Sequence, residues 1–197
     1  MFKKFLVLVI ASFLVSPAFL LAKQAFAAAY DIDPVHSTIG FAAKHLVVST
    51  TRGQFNTYNG TIEYDPSDPS AFKADVTIDS GSIDTNNEKR DGHLKSADFF
   101  DAEQYPNITF KNASLEQSGT VIAGDLTIKN VTKRINIPAE ISGPVQGPQG
   151  GSIIGISGAT TINRQDFGVS FNKVLETGGL VVSDDVKIIV ELEAHGK

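Results

Sequence analysis

The chain has 197 residues, 42% of them hydrophobic, with 22 acidic against 17 basic side chains for a formal net charge of -5. That balance, with no block of Lys or Arg to offset it locally, argues against nucleic acid and anionic headgroups as partners. Cysteine is absent and Met1 is the only methionine, which excludes disulfides, thiol nucleophiles, redox pairs and thiolate zinc sites.

Lys3 and Lys4 precede an apolar run over residues 5–21, and small residues follow at Ala25, Ala27, Ala28 and Ala29. This is the three-part layout of a secretory signal peptide. Ala25-Phe26-Ala27 fits the A-x-A cleavage rule, which makes residues 1–27 a leader and starts the mature chain at Ala28. A second site, Ala27-Ala28-Ala29, would start it at Tyr30. The run approaches the roughly 18 to 20 residues that span hydrocarbon, but Pro17 and the alanine-rich exit favour cleavage over anchoring. Loss of Lys3, Lys4 and Lys23, with no acidic residue, takes the net charge from -5 to -8. Residues 28–197 then form one domain, expected in the bacterial periplasm.

From there the dominant pattern has period two, the mark of a strand with one dry and one wet face. Short pieces lie at 39–45 and 61–64, followed by Phe72, Ala74, Val76 and Ile78 alternating with Lys73, Asp75, Thr77 and Asp79. Thr85-Asn86-Asn87-Glu88 then shows the S/T-x-x-E spacing of a helix start. A short helix is expected, ended or distorted by Gly92, with Leu94, Ala97, Phe99 and Phe100 as an apolar cluster behind it. Strands resume at 108–111. Lys129-Asn130 separates Leu126 and Ile128 from Ile135, Ile137, Ala139 and Ile141 and reads as a hairpin turn, with Pro138 marking an edge or a bulge. A further piece spans 154–162, and Val186, Ile188, Val190, Leu192 and Ala194 form the dry face of a last strand. Asp65-Pro66-Ser67-Asp68-Pro69 and residues 143–151 read as a turn and a surface loop. A sandwich or a barrel satisfies this pattern equally.

Of 13 Phe, eight lie beyond the leader. Singly they fill a core; together they can line a cavity, and a barrel of about eight strands encloses room for one small ligand. The histidines are His36, His45, His93 and His195, with no H-E-x-x-H or comparable ligand spacing, so no metal site is expected. Arg90, Asp91 and His93 form a dense polar group that serves either as an Arg-Asp anchor for the helix or as a headgroup-recognition cluster. No nucleophile elbow or phosphate loop is present.

The residues resemble the YceI-like family of exported lipid-binding proteins. Three blocks carry the likeness. The first is Asp33, His36, Ser37, Phe41, Lys44, His45, Gly53, Phe55 and Gly60. The second is Arg90-Asp91-Gly92-His93-Leu94 with Ser96, Asp98-Phe99-Phe100-Asp101, Tyr105-Pro106 and Thr109-Phe110. The third is Gly124-Asp125-Leu126-Thr127-Ile128 with Val131-Thr132-Lys133, Arg164, Asp166-Phe167-Gly168 and the strand at Val186. Two departures are Phe171, where the family often has Trp, and Lys129-Asn130 in place of a glycine-containing turn.

The resemblance implies an all-β, lipocalin-like antiparallel barrel of about eight strands with one short helical segment near residues 85–100. Its interior would hold an isoprenoid lipid, a polyprenyl chain or a quinone. It implies a carrier or reservoir rather than an enzyme, with no cofactor beyond the lipid, and is compatible with transient membrane contact and a homodimer. The ligand-facing set expected is His36, Phe41, His45, Phe55, Arg90, Asp91, His93, Leu94, Phe99, Phe100, Tyr105, Phe110, Phe167 and Phe171. The alternatives are a lipid-modifying enzyme using Arg90, Asp91 and His93 as acid-base groups, and a structural β-domain with a filled core.

Overall fold

The computed structural model describes residues 27–46, 48–148, 150–172 and 181–197. The leader expected over 1–27 therefore lies outside the described residues except for Ala27. The strands are β1 (Ala28–Ile32), β2 (Thr38–His45), β3 (Ser49–Phe55), β4 (Tyr58–Tyr64), β5 (Lys73–Asp79) and β6 (Ile83–Asp84), then, after helix α1 (Glu88–Lys95), β7 (Asn107–Glu116), β8 (Val121–Ile128), β9 (Val131–Gln146), β10 (Ser152–Asn163) and β11 (Val182–Gly196). All pair antiparallel.

Eight of them close a ring in the order β1-β4-β5-β7-β8-β9-β10-β11, with β11 returning to β1 through Tyr30↔Gly196, Asp31↔His195 and Ile32↔Ala194. Closure leaves no free strand edge around the ring, the general solution to edge pairing in antiparallel sheets. At the other end of the molecule β11 pairs instead with β2, β2 with β3, and β3 with the two-residue β6. Each of β1/β2, β3/β4 and β5/β6 is thus a ribbon bent between the two ends. β6 does not pair with β7, and α1 with the segment to Pro106 occupies that side. Ser80 ties the segment in by donating its N–H to the Pro106 carbonyl (2.9 Å) and its hydroxyl to the Tyr105 carbonyl (2.8 Å).

Local chemistry explains most elements. In β5, Ala74, Val76 and Ile78 are buried while Lys73, Asp75 and Asp79 are exposed, as a half-wet strand requires. Lys129 and Asn130 both take left-handed backbone (φ 49° and 62°) between the paired Ile128 and Val131, the two-residue turn whose twist matches the flanking strands. Pro138 lies one residue past Ala139, where the β9–β10 ladder stops, so its missing N–H costs no bond there and the edge expectation holds.

Four local expectations are corrected. The helix N-cap is Asn87, which accepts the Arg90 N–H at 3.0 Å, because Thr85 is buried and engaged with Asp91. Gly92 sits inside α1, which runs on to Lys95, and Ala97 is exposed rather than part of the apolar cluster. The expected surface loop over 143–151 is shorter, since β9 extends to Gln146 and β10 begins at Ser152. β3 escaped the pattern because, of its seven residues, only Phe55 is buried.

Candidate functional site: an apolar channel with a polar mouth

Alternation around a closed ring sends every second side chain inward, and here the inward set does not fill the space. A deep chamber of about 90 Å³ is lined by Val76, Phe110, Ile135, Val190 and other apolar residues, with no polar side chain. Above it an upper chamber of about 150 Å³ is bounded by Phe41, Phe55, Leu94, Phe99 and Phe100. The two share Ile39, Ile78, Leu126 and Ile188 as walls. A mouth of about 290 Å³ follows, sharing Phe41, Leu94, Phe99 and Val182 with the upper chamber and adding Lys44, His45, Thr51, Arg90 and His93. The filled-core alternative does not describe this interior. β11 borders the whole path from Val182 to Leu192, roughly 33 Å of strand and roughly 25 Å along the axis at a typical barrel tilt.

Two glycines make the channel's aromatic walls possible. A Cβ on Gly53 would collide with the ring of Phe41, its cross-strand partner, and one on Gly124 with the ring of Phe110. Each ring lies flat over a strand where only hydrogen projects, so it lines the channel without crossing it. At the mouth His93 stands edge-on to Phe99 (centroids 5.0 Å) and Phe171 (4.9 Å), and inside it Phe55 meets Phe41 and Phe100 at 5.9 and 5.8 Å. These spacings are those of favourable aromatic pairs.

The polar group beside the helix divides into separate roles. Asp91, only 8% exposed, accepts the N–H of Thr85 at 2.9 Å and the Thr85 hydroxyl. Arg90 donates Nε to the Thr85 hydroxyl (2.7 Å) and Nη2 to the Thr85 carbonyl (2.8 Å). The expected Arg-Asp anchor is therefore a latch in which both residues grip Thr85. Arg90 also faces the mouth; Asp91 does not. His93 Nε2 lies 2.9 Å from Asp98. Arg90, Asp91 and His93 share no single hydrogen-bond chain, so the acid-base trio of the enzyme alternative is not assembled.

Of the expected ligand-facing set, Phe41, His45, Phe55, Arg90, His93, Leu94, Phe99, Phe100, Phe110 and Phe171 border the channel or its mouth. Four positions lie elsewhere. Asp91 is spent on the latch. Tyr105 supports Ser80 through its carbonyl and borders none of the three spaces. Phe167, 2% exposed, is packed core. His36 sits at the far end of the barrel, 2.6 Å from Asp33 and 3.7 Å from Glu193.

Sequence reasoning placed no role on Arg164, which borders the upper chamber at 6% exposure. It donates to the carbonyls of Ser183 (2.9 Å), Val169 (2.6 Å) and Phe171 (2.9 Å) and pairs with Asp184 at 3.0 Å. Burial lowers its pKa from the ordinary arginine value, opposed by Asp184. Its fork fastens the backbone that carries Phe171 to β11, which sets one wall of the mouth. An isolated Arg in a polar stretch carries no local signal of such a role.

A closed antiparallel barrel around adjoining, largely apolar chambers defines a lipocalin-like protein. The YceI-like domain matches residues 30–194, and the chain belongs to that family. A UPF0312 protein of Staphylococcus aureus strain MSSA476 is 41% identical over 165 residues, 83% of this chain and 95% of the relative. Among solved structures, the Campylobacter jejuni YCEI protein is 37% identical with a TM-score of 0.66, covering 78% of this chain and 90% of its own. Burkholderia cenocepacia BcnA superposes with a TM-score of 0.71 at 25% identity over 82% and 98% of the two chains. A polyisoprenoid binding domain from Saccharophagus degradans shares the fold, with a TM-score of 0.67 at 16% identity over 86% and 99%.

Proposed function

We propose that the protein is an exported carrier or reservoir that holds an isoprenoid lipid, with the chain in the apolar channel and the polar end at the mouth. The observation that carries this reading is a wholly apolar deep chamber that adjoins, through shared wall residues, an upper chamber and a mouth edged by Lys44, His45, Arg90 and His93. The polyisoprenoid-binding description of the Saccharophagus degradans domain, which has the same fold, agrees with it. Export to the periplasm is supported by the basic, apolar and alanine-rich order of residues 1–27.

Each methylene moved from water into the channel contributes roughly 0.8 kcal/mol, but the competing environment is the bilayer. There the tail is already dry, so the tail contribution nearly cancels on extraction. Selectivity must arise at the polar end, where a hydrogen bond to a charged group is worth roughly 1.5 to 3 kcal/mol. The function therefore assigns capacity to the Phe-lined channel and headgroup choice to Arg90 and His93.

Native mass spectrometry of protein purified from the periplasm tests the reading directly. A bound isoprenoid, and a mature N-terminus at Ala28 or Tyr30, are expected. In vesicle-transfer assays Phe110→Asp should abolish uptake, because an unpaired charge in the deep chamber is strongly disfavoured. Arg90→Ala should slow extraction roughly tenfold to a hundredfold while tail binding in water persists. An empty barrel that takes up no added quinone or polyprenol refutes the function, and wild-type extraction by Arg90→Ala refutes the headgroup assignment.

A further inference from the structure

At the end of the barrel away from the mouth, the bend between β1 and β2 crosses the last residues of β11. Its backbone is locked there: Asp33 N–H donates to the Glu193 carbonyl (2.9 Å), and Glu193 N–H donates to Ser37 Oγ (2.9 Å). Tyr58 in turn donates its hydroxyl to the Ser37 carbonyl at 2.6 Å. On this rigid frame stand two carboxylates and two imidazoles in alternation. His36 Nδ1 is 2.6 Å from Asp33 and 3.7 Å from Glu193, and His195 Nε2 is 2.8 Å from Glu193 and 3.8 Å from Asp33.

Three of these donors, on Asp33, Glu193 and His195, lie within 4.8 Å of one another. A tetrahedral ion with nitrogen and oxygen ligands at about 2.0 to 2.1 Å needs donors roughly 3.4 Å apart; the His195 nitrogen stands 2.8 Å from Glu193 and 3.8 Å from Asp33, on either side of that value, and His36 lies outside the group. The two carboxylates are partly buried, at 21% and 35% exposure. With both imidazoles neutral the group holds two negative charges facing each other, which a divalent cation balances. The His195 nitrogen favours zinc, nickel or copper over magnesium or calcium, which prefer six or more oxygens.

We propose that Asp33, Glu193 and His195 form a three-ligand binding site for a divalent transition-metal ion of the zinc type, with His36 hydrogen-bonded to Asp33 at its edge. On binding, the neutral His195 imidazole presents its Nε2 lone pair to the metal and carries its proton on Nδ1. The ion joins a residue next to the first strand to two residues of the last, across the seam where β1 and β11 pair over only Tyr30 to Ile32 and Ala194 to Gly196. The site thereby clasps the ring where its closure is shortest. It is independent of the lipid reading.

The test uses untagged full-length protein, as exported and stripped with chelator, titrated calorimetrically with Zn²⁺ and followed in parallel by the visible absorption of Co²⁺. One ion per chain with micromolar or tighter affinity is expected, with a Zn²⁺-dependent rise in melting temperature. His195→Gln and Asp33→Asn should each weaken binding at least tenfold. The asparagine still offers an oxygen to the Val35 N–H, now 2.8 Å from Asp33, so the bend is kept. His45→Gln and His93→Gln, at the opposite end, should bind as wild type. No binding tighter than millimolar, unchanged affinity in His195→Gln and Asp33→Asn, or loss of binding in His45→Gln overturns the site.

Discussion

Thr85→Val tests the latch that holds α1 over the upper chamber. Valine keeps the shape of threonine and removes only the hydroxyl, which donates to Asp91 and accepts Arg90 Nε at 2.7 Å. Each is a hydrogen bond to a charged group, worth roughly 1.5 to 3 kcal/mol. The two losses differ in consequence. Arg90 is exposed, keeps its 2.8 Å bond to the Thr85 carbonyl and regains water at Nε. Asp91 is 8% exposed and keeps only the Thr85 N–H at 2.9 Å, so its carboxylate is left under-satisfied. A net cost of roughly 2 kcal/mol follows, and at 1.36 kcal/mol per decade that is roughly a 30-fold rise in local opening. The cost should be local, since α1 is held by this latch and by Leu94 rather than by the ring's ladders. Hydrogen-exchange mass spectrometry should show α1 amides exchanging roughly 30-fold faster, with the β8–β9 hairpin unchanged and Thr85→Ser close to wild type. Exchange within threefold of wild type in α1, or an equal rise across the whole barrel, refutes the latch.

Ile154, 1% exposed, continues the inward face of β10 beyond the deep chamber; Ile154→Ala should cost roughly 2 to 5 kcal/mol, lowering the melting temperature by roughly 5 to 15 °C in a scanning calorimeter. Lys129→Asn combined with Asn130→Gly places residues suited to left-handed backbone in the β8–β9 turn, and should raise stability by about 1 kcal/mol in urea titration. The Asp84 carboxyl is held below its ordinary 3.8 by the Asn86 N–H (2.7 Å), the Asn56 amide and the charge of Lys95. Its stabilisation of the β6–α1 junction is thus complete above that ordinary value and lost as pH falls through the lowered one. A carboxyl NMR titration should give a midpoint below 3.8, shifted upward in Asn56→Ala.

Much of the fold was legible because side-chain period reports which face of a strand is dry, and that is a local property. Val186, Ile188, Val190, Leu192 and Ala194 declared β11, Ala74, Val76 and Ile78 declared β5, and Lys129-Asn130 declared its hairpin without a glycine. The same locality hid β3, where Ser49, Thr50, Thr51 and Arg52 present no apolar alternation and pairing with β2, joined at Gln54 and Phe55 by β6, makes the strand. The resemblance named the aromatic wall, and ten of the fourteen residues it implies border the chambers or the mouth.

What tertiary structure alone decided is which distant segments share a surface. Thr85 fits a helix cap by spacing, yet the cap passes to Asn87 because burial beside β3 gives Thr85 a carboxylate and a guanidinium to satisfy. His36 belongs to the same block as Phe41 and His45, but β2 runs the length of the upper barrel and carries them to opposite ends. His36 instead meets Glu193 and, through Asp33, His195. Those neighbours are set by the antiparallel register that returns β11 to β1, and backbone hydrogen bonds across a closed ring leave no trace in the pattern of any one strand.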